Sequence, residues 1–491
     1  MSKIIGRNRE RKILEGSFDT NKAEFVVVYG RRRVGKTFLI RNTFQEKKNA
    51  NFFYVTGKKN SKKSDQLKHF MGEIGPAFLK QELHLAIPDT WDDAFKELTK
   101  YIQASKQEKI VLFLDEFPWM ATRGSGLLES LDEFWNHRWS RDPRIKLVVC
   151  GSAAEWLLKR IIRDKGGFYN RVTRKIHLQP FSLGEVKEYL HYLKIKLSDT
   201  QIGHLYMVLG GIPFYLDQIP RGLSAAQAIE ELAFGKESFL LTEFDHLYAT
   251  LFSDGEQYVD LARAIALHPY GISAQELSRQ LATVKSGEGL ASRLDNLVNA
   301  GFVDRFKPYK HKVRGNFYKM VDEYSVFYFH WIEPIKNTLL EKSMRSGYWL
   351  SVQNSPAWHS WSGIAFEGLC YKHIAQISSA LKLSPTALPS SWRYSPSKGS
   401  PDDGAQIDLL FDRDDGVITI CEIKYTEELF AVDKACAQSL LRKMRVFKQK
   451  TKTKKDLFLA IVSANGLKKT VYSEEYVTAE VTMKDLFEPA S

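Results

Sequence analysis

The stretch from Phe25 to Phe44 restricts what this chain can fold into more than any other. Phe25–Val26–Val27–Val28–Tyr29 is an apolar run of strand length. It leads into Gly30–Arg31–Arg32–Arg33–Val34–Gly35–Lys36–Thr37 and then the helical string FLIRNTF. G-x-x-x-x-G-K-T between a buried strand and a helix is a phosphate cradle: the glycines let backbone N–H groups curl around phosphate oxygens. A helix N-terminus adds its dipole. Gly30, Arg33, Val34, Gly35, Lys36, Thr37 and Phe38 are the expected contact set, with Lys36 on the β- and γ-phosphates and Thr37 on Mg²⁺.

A second apolar run, Ile110–Leu114, ends in Asp115–Glu116. A strand that delivers carboxylates at its C-terminal end places them where parallel sheets bind ligands. Asp115 is expected in the Mg²⁺ shell, and Glu116 is expected to orient and polarise the attacking water. Phe25–Tyr29, Asn51–Val55, Ile110–Leu114, Lys146–Cys150 and Lys175–Leu178 read as strands with amphipathic segments between them, an alternation that predicts a parallel sheet with helices on both faces.

Composition narrows the classes. With 491 residues there is room for about three domains. Hydrophobic residues at 44% and charged residues at 26% exclude a mainly disordered chain. No apolar run reaches the ~18 residues needed to cross a bilayer, and MSKIIGRNRERK has no apolar core behind its charges, which excludes a secretory signal. Cys150, Cys370, Cys421 and Cys436 lie far apart without a CxxC pair, so neither a disulfide framework nor a zinc ribbon is expected, and a reducing cytoplasm fits. The 71 basic and 58 acidic residues give +13, which raises the odds of a polyanionic partner.

Further residues carry a resemblance. Ile5–Gly6–Arg7–Asn8–Arg9–Glu10 resembles the adenine-side box of AAA+ and STAND-type ATPases, Lys146–Cys150 with Gly151–Ser152 resembles their sensor strand, and Gly210–Gly211–Ile212–Pro213 resembles the Gly-x-Pro signature of the STAND helical lid. The order along nearly the whole chain is similar to archaeal and bacterial ATPases with a winged helix and a C-terminal domain long labelled as of unknown function. The resemblance implies ATP and Mg²⁺ as cofactors, Gly6, Arg7 and Pro213 near the nucleotide, Ser152 watching the γ-phosphate, and an arginine finger. Asn170–Arg171–Val172–Thr173–Arg174 offers two candidates for that finger, of which Arg171 is preferred, serving its own or a neighbour's site; a surface pair is the alternative. The expected divisions are an ATPase core over 1–181, a helical lid over 182–251, a winged helix over 252–335 and a nuclease-like domain over 336–491.

Ser273–Leu281 and Glu288–Ala300 read as two helices joined by Thr283–Gly287, with Arg293 off the apolar face of the second. Arg305–Lys319 then forms a basic hairpin with aromatic residues between its charges. This resembles a winged helix-turn-helix. Such a module either contacts DNA or docks protein, and the basic wing (Lys310, Lys312, Arg314) favours DNA, without sequence-specific readout.

Toward the C-terminus, Ile407–Phe411 and Gly416–Lys424 read as neighbouring strands. They can bring Asp408 and Glu422 together, with Lys424 two residues on and so on the same face. Gly363–Glu367 opens a preceding helix, and Glu427–Lys450 and Leu457–Val462 supply a following helix and strand. This order resembles the PD-(D/E)xK restriction-endonuclease-like core, with Asp408, Glu422 and Lys424 at its active positions and Glu367 as the helix glutamate. Gln406–Ile407 stands where the family has Pro before the Asp. The resemblance implies Mg²⁺ or Mn²⁺ on Glu367, Asp408 and Glu422, activating water, and Lys424 at the transition state. Arg442–Lys455 holds eight basic residues among 14; Arg442 and Lys443 are expected to track phosphates, the alternative being a solvated face.

The fold expected is therefore a multidomain α/β protein: a P-loop AAA+ parallel sheet with a helical lid, a winged helix-turn-helix and a restriction-endonuclease-like α/β domain. It is expected to be cytoplasmic, to bind and hydrolyse ATP, to bind DNA and to cut it with a metal, as a homo-oligomer or under a trigger protein. The alternative is a nucleotide-gated regulator or scaffold with a non-cleaving C-terminal domain.

Overall fold

The computed structural model describes all residues except 1–2, 123, 153, 163–167, 169, 236–237, 253–254, 282–287, 311–314, 342–346, 397–402 and 491. The expected contacts Lys312 and Arg314 and the joint 283–287 therefore lie outside the described residues. The chain divides into two compact units, Met1–Pro180 with Asn299–Gly301, and Phe181–Val298 with Phe302–Ser491.

The first unit is built on five parallel strands: β1 (Glu24–Tyr29), β2 (Ala50–Thr56), β3 (Lys109–Asp115), β4 (Ile145–Gly151) and β5 (Arg174–His177), in the order β2-β3-β4-β1-β5. Each expected strand is present, and the last ends at His177 rather than Leu178. Phe25, Val26, Val27 and Val28 are wholly buried, as a central strand covered on both faces requires. The helix Trp91–Ala104 is capped by Thr90, whose side chain accepts from the Asp93 N–H. It buries Trp91, Phe95 and Leu98 on one side of the sheet, where Phe95 meets Trp139 edge-on at 5.2 Å. Because β4 lies between β1 and β3, the loop after β1 and the carboxylates after β3 face the sensor residues after β4.

The second unit opens with helices, from Leu183–Tyr192 to Phe239–Leu251. The helix Gly255–Ala266 follows, then β6 (Ile272–Ser273), the helices Ala274–Gln280 and Glu288–Asn299, β7 (Val303–Phe306) and β8 (Phe317–Met320). These three strands form an antiparallel sheet in the order β6-β8-β7. The last part holds β9 (Leu388–Tyr394), β10 (Ala405–Asp412), β11 (Val417–Lys424), β12 (Phe430–Ala431), β13 (Asp456–Ser463), β14 (Leu467–Lys468) and β15 (Ala479–Thr482). Five of them make a mixed sheet, β15-β13-β11-β10-β9, and β12 pairs with β14. The helix Pro356–Lys372 precedes this sheet, and the helix Lys434–Thr451 joins β12 to β13.

Trp331, Trp349, Trp358 and Trp361 are all buried in the core of this unit. Phe234 stacks on Trp349 at 5.6 Å, Phe327 meets Trp361 at 5.7 Å, and Trp349 meets Trp358 at 5.4 Å. These rings come from all three of the divisions expected after residue 181, which is why that region is one compact unit. Two histidines, His373 buried and His204 partly buried, add cross-links. His373 Nε2 accepts from the Leu183 N–H at 2.9 Å, and His204 bonds to the Tyr425 hydroxyl.

Among the described residues no helix is long and apolar enough to cross a membrane. All four cysteines are free, three of them buried.

Candidate functional site

In the first unit the loop after β1 has three residues at positive φ: Gly30 (148°), Arg33 (70°) and Gly35 (90°). A Cβ on Gly30 would lie 2.2 Å from the Leu178 carbonyl oxygen, so only glycine passes there. Gly35 caps the helix Lys36–Phe44, and the free N–H groups of its first turn face into the loop. Lys36 is buried, and its ammonium donates to the carbonyls of Gly30 (3.0 Å) and Arg31 (2.9 Å) across the cradle.

The Thr37 hydroxyl donates to Asp115 Oδ2 at 2.7 Å. The same carboxylate accepts the Glu116 N–H (2.9 Å) and the Cys150 thiol (2.8 Å) on Oδ1, and the Tyr54 hydroxyl (3.4 Å) on Oδ2. Burial, then Asp115, pushes the Cys150 thiol well above its usual range and Tyr54 up to about 12. Both stay protonated donors that aim Asp115 at Thr37. Glu116 sits in the left-handed region at φ 41°, and one of its oxygens accepts both the N–H (3.1 Å) and the hydroxyl (3.0 Å) of Ser152. Thr37 and Asp115 together present the hard oxygen ligands that Mg²⁺ takes.

The remaining expected contacts differ in placement. Gly6 (φ 62°) and Arg7 (φ 58°) form a left-handed turn. The buried Arg7 guanidinium donates to the carbonyls of Val34 (3.1 Å) and Gln179 (2.6 Å), so it braces the loop from behind. Val34 is buried and Phe38 is 42% exposed, so Phe38 can offer its backbone to a ligand while its ring meets solvent. Pro213 starts the helix Pro213–Leu216 and belongs to the second unit.

Arg171 requires a correction. Thr173 donates to the Phe25 carbonyl at 2.9 Å, and Val26 is level with Arg174. Arg171 therefore lies at the N-terminal edge of the parallel sheet, about 15 Å of strand from the loop after Tyr29. Within its own unit it stands at the opposite end of the strands from the cradle.

The second unit holds a lysine–carboxylate centre. Leu409 on β10 is level with Cys421 on β11, so Asp408 falls opposite Glu422 one step along. On its other side β10 changes register against β9 between Ile407 and Leu410, an irregularity that contains Asp408. Such bulges re-aim side chains beside functional centres. The Tyr371 hydroxyl donates to the Asp408 carbonyl.

Burial, then the neighbouring Glu422, raises the Asp408 carboxyl above its usual range. Burial, then Asp408, pushes Glu367 up to about 7. Lys424 Nζ lies 2.8 Å from Glu422 Oε1. Burial disfavours that ammonium, but Glu422 and Asp408 outweigh it and hold Lys424 above the usual lysine range.

Two lysines arrive that sequence reasoning did not place here. Lys443 was expected to track phosphates, but its ammonium bonds both oxygens of Glu422, at 2.7 and 2.8 Å. Its helix turns this position toward β11. Lys319, on β8, lies over the Tyr371 ring at 4.2 Å, with Glu367 and Asp408 the foremost opposite charges acting on it. Burial holds its ammonium below the usual lysine range. A cleft of about 1080 Å³ opens beside the centre, lined among others by Tyr270, Phe306, Lys307, Lys319, Tyr371 and Asp408.

Of the basic residues expected on nucleic acid, Arg442 is half-exposed and 3.7 Å from Asp403, and Arg293 is partly buried. Lys310 lies over the Tyr309 ring at 5.5 Å. Tyr309 is tied to the C-terminal part, its N–H donating to the Ser391 carbonyl at 2.7 Å and its ring 5.7 Å from Phe447. The hairpin is thus seated on β9 and the helix Lys434–Thr451.

Among the described residues no group of three or more His, Cys, Asp or Glu side chains is arranged to hold a metal ion. At this centre Glu422 faces the lysines.

Residues 5–219 match the family model described as an ATPase domain predominantly from Archaea, a range that covers the parallel sheet and continues into the first helices of the second unit. Over that range the chain, with its phosphate loop between strand and helix, is similar to an ATPase domain. An uncharacterized protein of Methanocaldococcus jannaschii is 24% identical over 383 residues, 77% of this chain and 79% of its own length. An uncharacterized ATP-binding protein of the same organism is 46% identical over 45 residues, 9% of this chain and 76% of its own length. Among solved structures, a Walker-type ATPase of Pyrococcus abyssi has 21% identity and a TM-score of 0.48, covering 66% of this chain and 96% of its own. The Aeropyrum pernix ORC2 protein has 17% identity and a TM-score of 0.43, covering 70% and 97%.

Proposed function

We propose that this protein is an ATP-hydrolysing, DNA-acting ATPase whose second unit cuts DNA with a divalent metal. In the first unit Lys36 compensates phosphate charge, Thr37 and Asp115 hold Mg²⁺, and Glu116 polarises the attacking water while Ser152 fixes its carboxylate. ATP binding at this cradle is the switch and the C-terminal centre is the output.

One observation carries the nuclease reading: Asp408 and Glu422 are opposed on adjacent strands, with Lys424 within 2.8 Å of Glu422. Two buried carboxylates on adjacent strands, with burial and then Glu422 raising the Asp408 carboxyl, are a donor set that a divalent cation relieves, and the cation would supply activated water and charge neutralisation at phosphorus. Asp408 and Glu422 would hold it, with the Glu367 carboxyl close enough for Asp408 to act on its charge. Lys424 stabilises the charge that develops in the transition state. The order helix Gly255–Ala266, β6, two helices, β7 and β8 supports a winged helix, with Arg293, Lys310, Lys312 and Arg314 as its DNA contacts and Arg442 beside the cutting centre. Arg171 serves as a finger on a neighbouring copy's nucleotide, which makes the working form an oligomer.

Plasmid incubated with Mn²⁺, with and without ATP, tests the reading. The wild type cuts, Asp408→Ala and Glu422→Ala do not, and both variants retain ATP hydrolysis. Cleavage that survives both substitutions identifies another centre or a contaminant. A wild type that binds DNA without cutting it under either condition, or with added cellular partners, favours the regulator or scaffold.

A further inference from the structure

Glu422 cannot meet a divalent cation in the arrangement described, because both of its oxygens are taken. Lys443 donates to Oε1 at 2.7 Å and to Oε2 at 2.8 Å, and Lys424 adds a third contact to Oε1 at 2.8 Å. The Glu422 side chain is only 4% exposed, so water screens these charges weakly. Lys424 shares a strand face with Glu422 and is held close to it by the backbone. Lys443 comes from a different element, the helix Lys434–Thr451, and its side chain is 23% exposed. Four flexible carbons connect its ammonium to a helix that also carries the half-exposed Arg442. A nucleic-acid phosphate on that helix competes with Glu422 for the same ammonium.

We propose that Lys443 is a latch: it neutralises Glu422 until a polyanionic strand draws its ammonium away, so that divalent-cation binding at Asp408 and Glu422 is coupled to nucleic-acid binding. This rests on reading that carboxylate pair as the metal centre. Once the ammonium leaves, Glu422 faces Asp408 with one cation fewer between them, and the unrelieved repulsion draws in a divalent ion. By linkage the ion in turn strengthens binding of the strand, by the same factor. Such a centre stays closed to metal in the absence of substrate. That protects DNA in general from a nuclease whose metal is always available.

The test is Mn²⁺ binding to the full chain without nucleotide, followed by electron paramagnetic resonance of free Mn²⁺, with and without a short DNA duplex. The portion lost in Asp408→Asn is the binding at this centre. Without DNA, Lys443→Met binds that Mn²⁺ at least about tenfold more tightly than the wild type. Duplex tightens binding by the wild type and leaves Lys443→Met unchanged, while Lys443→Arg, which keeps the charge, behaves as the wild type. Retained ATP binding and an unaltered circular dichroism spectrum show that each variant is folded. If wild type and Lys443→Met share one Asp408-dependent affinity, the latch is refuted and the metal centre stands. If neither shows any Asp408-dependent Mn²⁺ with duplex present, the metal centre is refuted and the latch with it.

Discussion

At the scale of single residues, the nucleotide cradle was legible because its parts are consecutive in the chain. Gly30 to Thr37 needs only a strand before it and a helix after it to be read. What supports the cradle was not legible. Cys150 and Tyr54 reach Asp115 through the register of β2, β3 and β4, and nothing in a linear string announces that. The outcome of their contacts is nevertheless specific. Ser152 holds one oxygen of the Glu116 carboxylate with two hydrogen bonds, so Ser152→Ala leaves that carboxylate free to rotate. We expect ATP affinity to be unchanged and turnover to fall by roughly tenfold to a hundredfold, measured by steady-state hydrolysis. An unchanged turnover number removes Ser152 from the positioning role.

His373 and His204 give a pH prediction at the same scale. Burial lowers His373 and His204 to about 4. Their folded values lie below the unfolded one, so the folded state binds fewer protons and the stabilisation is complete above about pH 6.5. It is lost as pH falls from there and levels off near the folded value. Each histidine costs about 2 kcal/mol at about pH 5. The thermal midpoint of the second unit should therefore drop between neutral pH and about pH 5, and the double variant His204→Gln with His373→Gln should show a shallower pH dependence. A midpoint flat across that range contradicts the burial assigned to them.

At the scale of elements, strands came through best. Short apolar runs of five residues bounded by polar ones have few other places to go in a chain of this composition. At the Gly210–Gly211–Ile212–Pro213 turn the glycines have a steric cause. Gly210 has φ 62°, with the Glu323 carboxylate 2.6 Å from where a Cβ would be. A Cβ on Gly211 would lie 1.9 Å from the Phe181 carbonyl oxygen. The Phe181 N–H also donates to the Gly211 carbonyl at 2.6 Å, so the two chains cannot separate to make room. Gly211→Ala should destabilise the second unit by several kcal/mol or abolish soluble expression, whereas Gly222→Ala, which meets nothing within 4 Å but has φ 82°, should cost only about 1 kcal/mol. Equal denaturation midpoints for the two variants would remove the steric explanation.

The elements that eluded sequence reading are those whose partner is distant. Helical periodicity along Lys434–Thr451 marks an apolar face, but it does not say that Lys443 turns toward a carboxylate on β11. A run of basic residues is indistinguishable in one dimension from a run with one member already paired.

At the scale of the whole chain, four expected divisions appear as two compact units, because aromatic residues shared among the last three weld them together. The seating of the β7–β8 hairpin on β9 and the helix Lys434–Thr451 joins the proposed DNA contacts to the proposed cutting centre. Neutralising Lys310, Lys312 and Arg314 together should weaken binding to unrelated duplexes alike and flatten its salt dependence by up to about 2.7 log units per log unit of salt. An unchanged affinity and slope would assign the hairpin to a protein partner. The finger role proposed for Arg171, at the far edge of the parallel sheet, also belongs to this scale. Arg171→Ala should slow ATP hydrolysis only at protein concentrations where copies associate, and an equal loss at high dilution would contradict a finger supplied between copies.

The central claim is that Glu116 activates water at the cradle of Lys36, Thr37 and Asp115. It is tested most directly by single-turnover hydrolysis of bound ATP in Glu116→Gln, with Lys36→Ala as the variant that fails to bind. Glu116→Gln keeps the shape of the side chain and can still bond Ser152, but it cannot polarise water. It should bind ATP as the wild type does and hydrolyse it at least about a hundredfold more slowly. Hydrolysis at the wild-type rate in Glu116→Gln would contradict the mechanism.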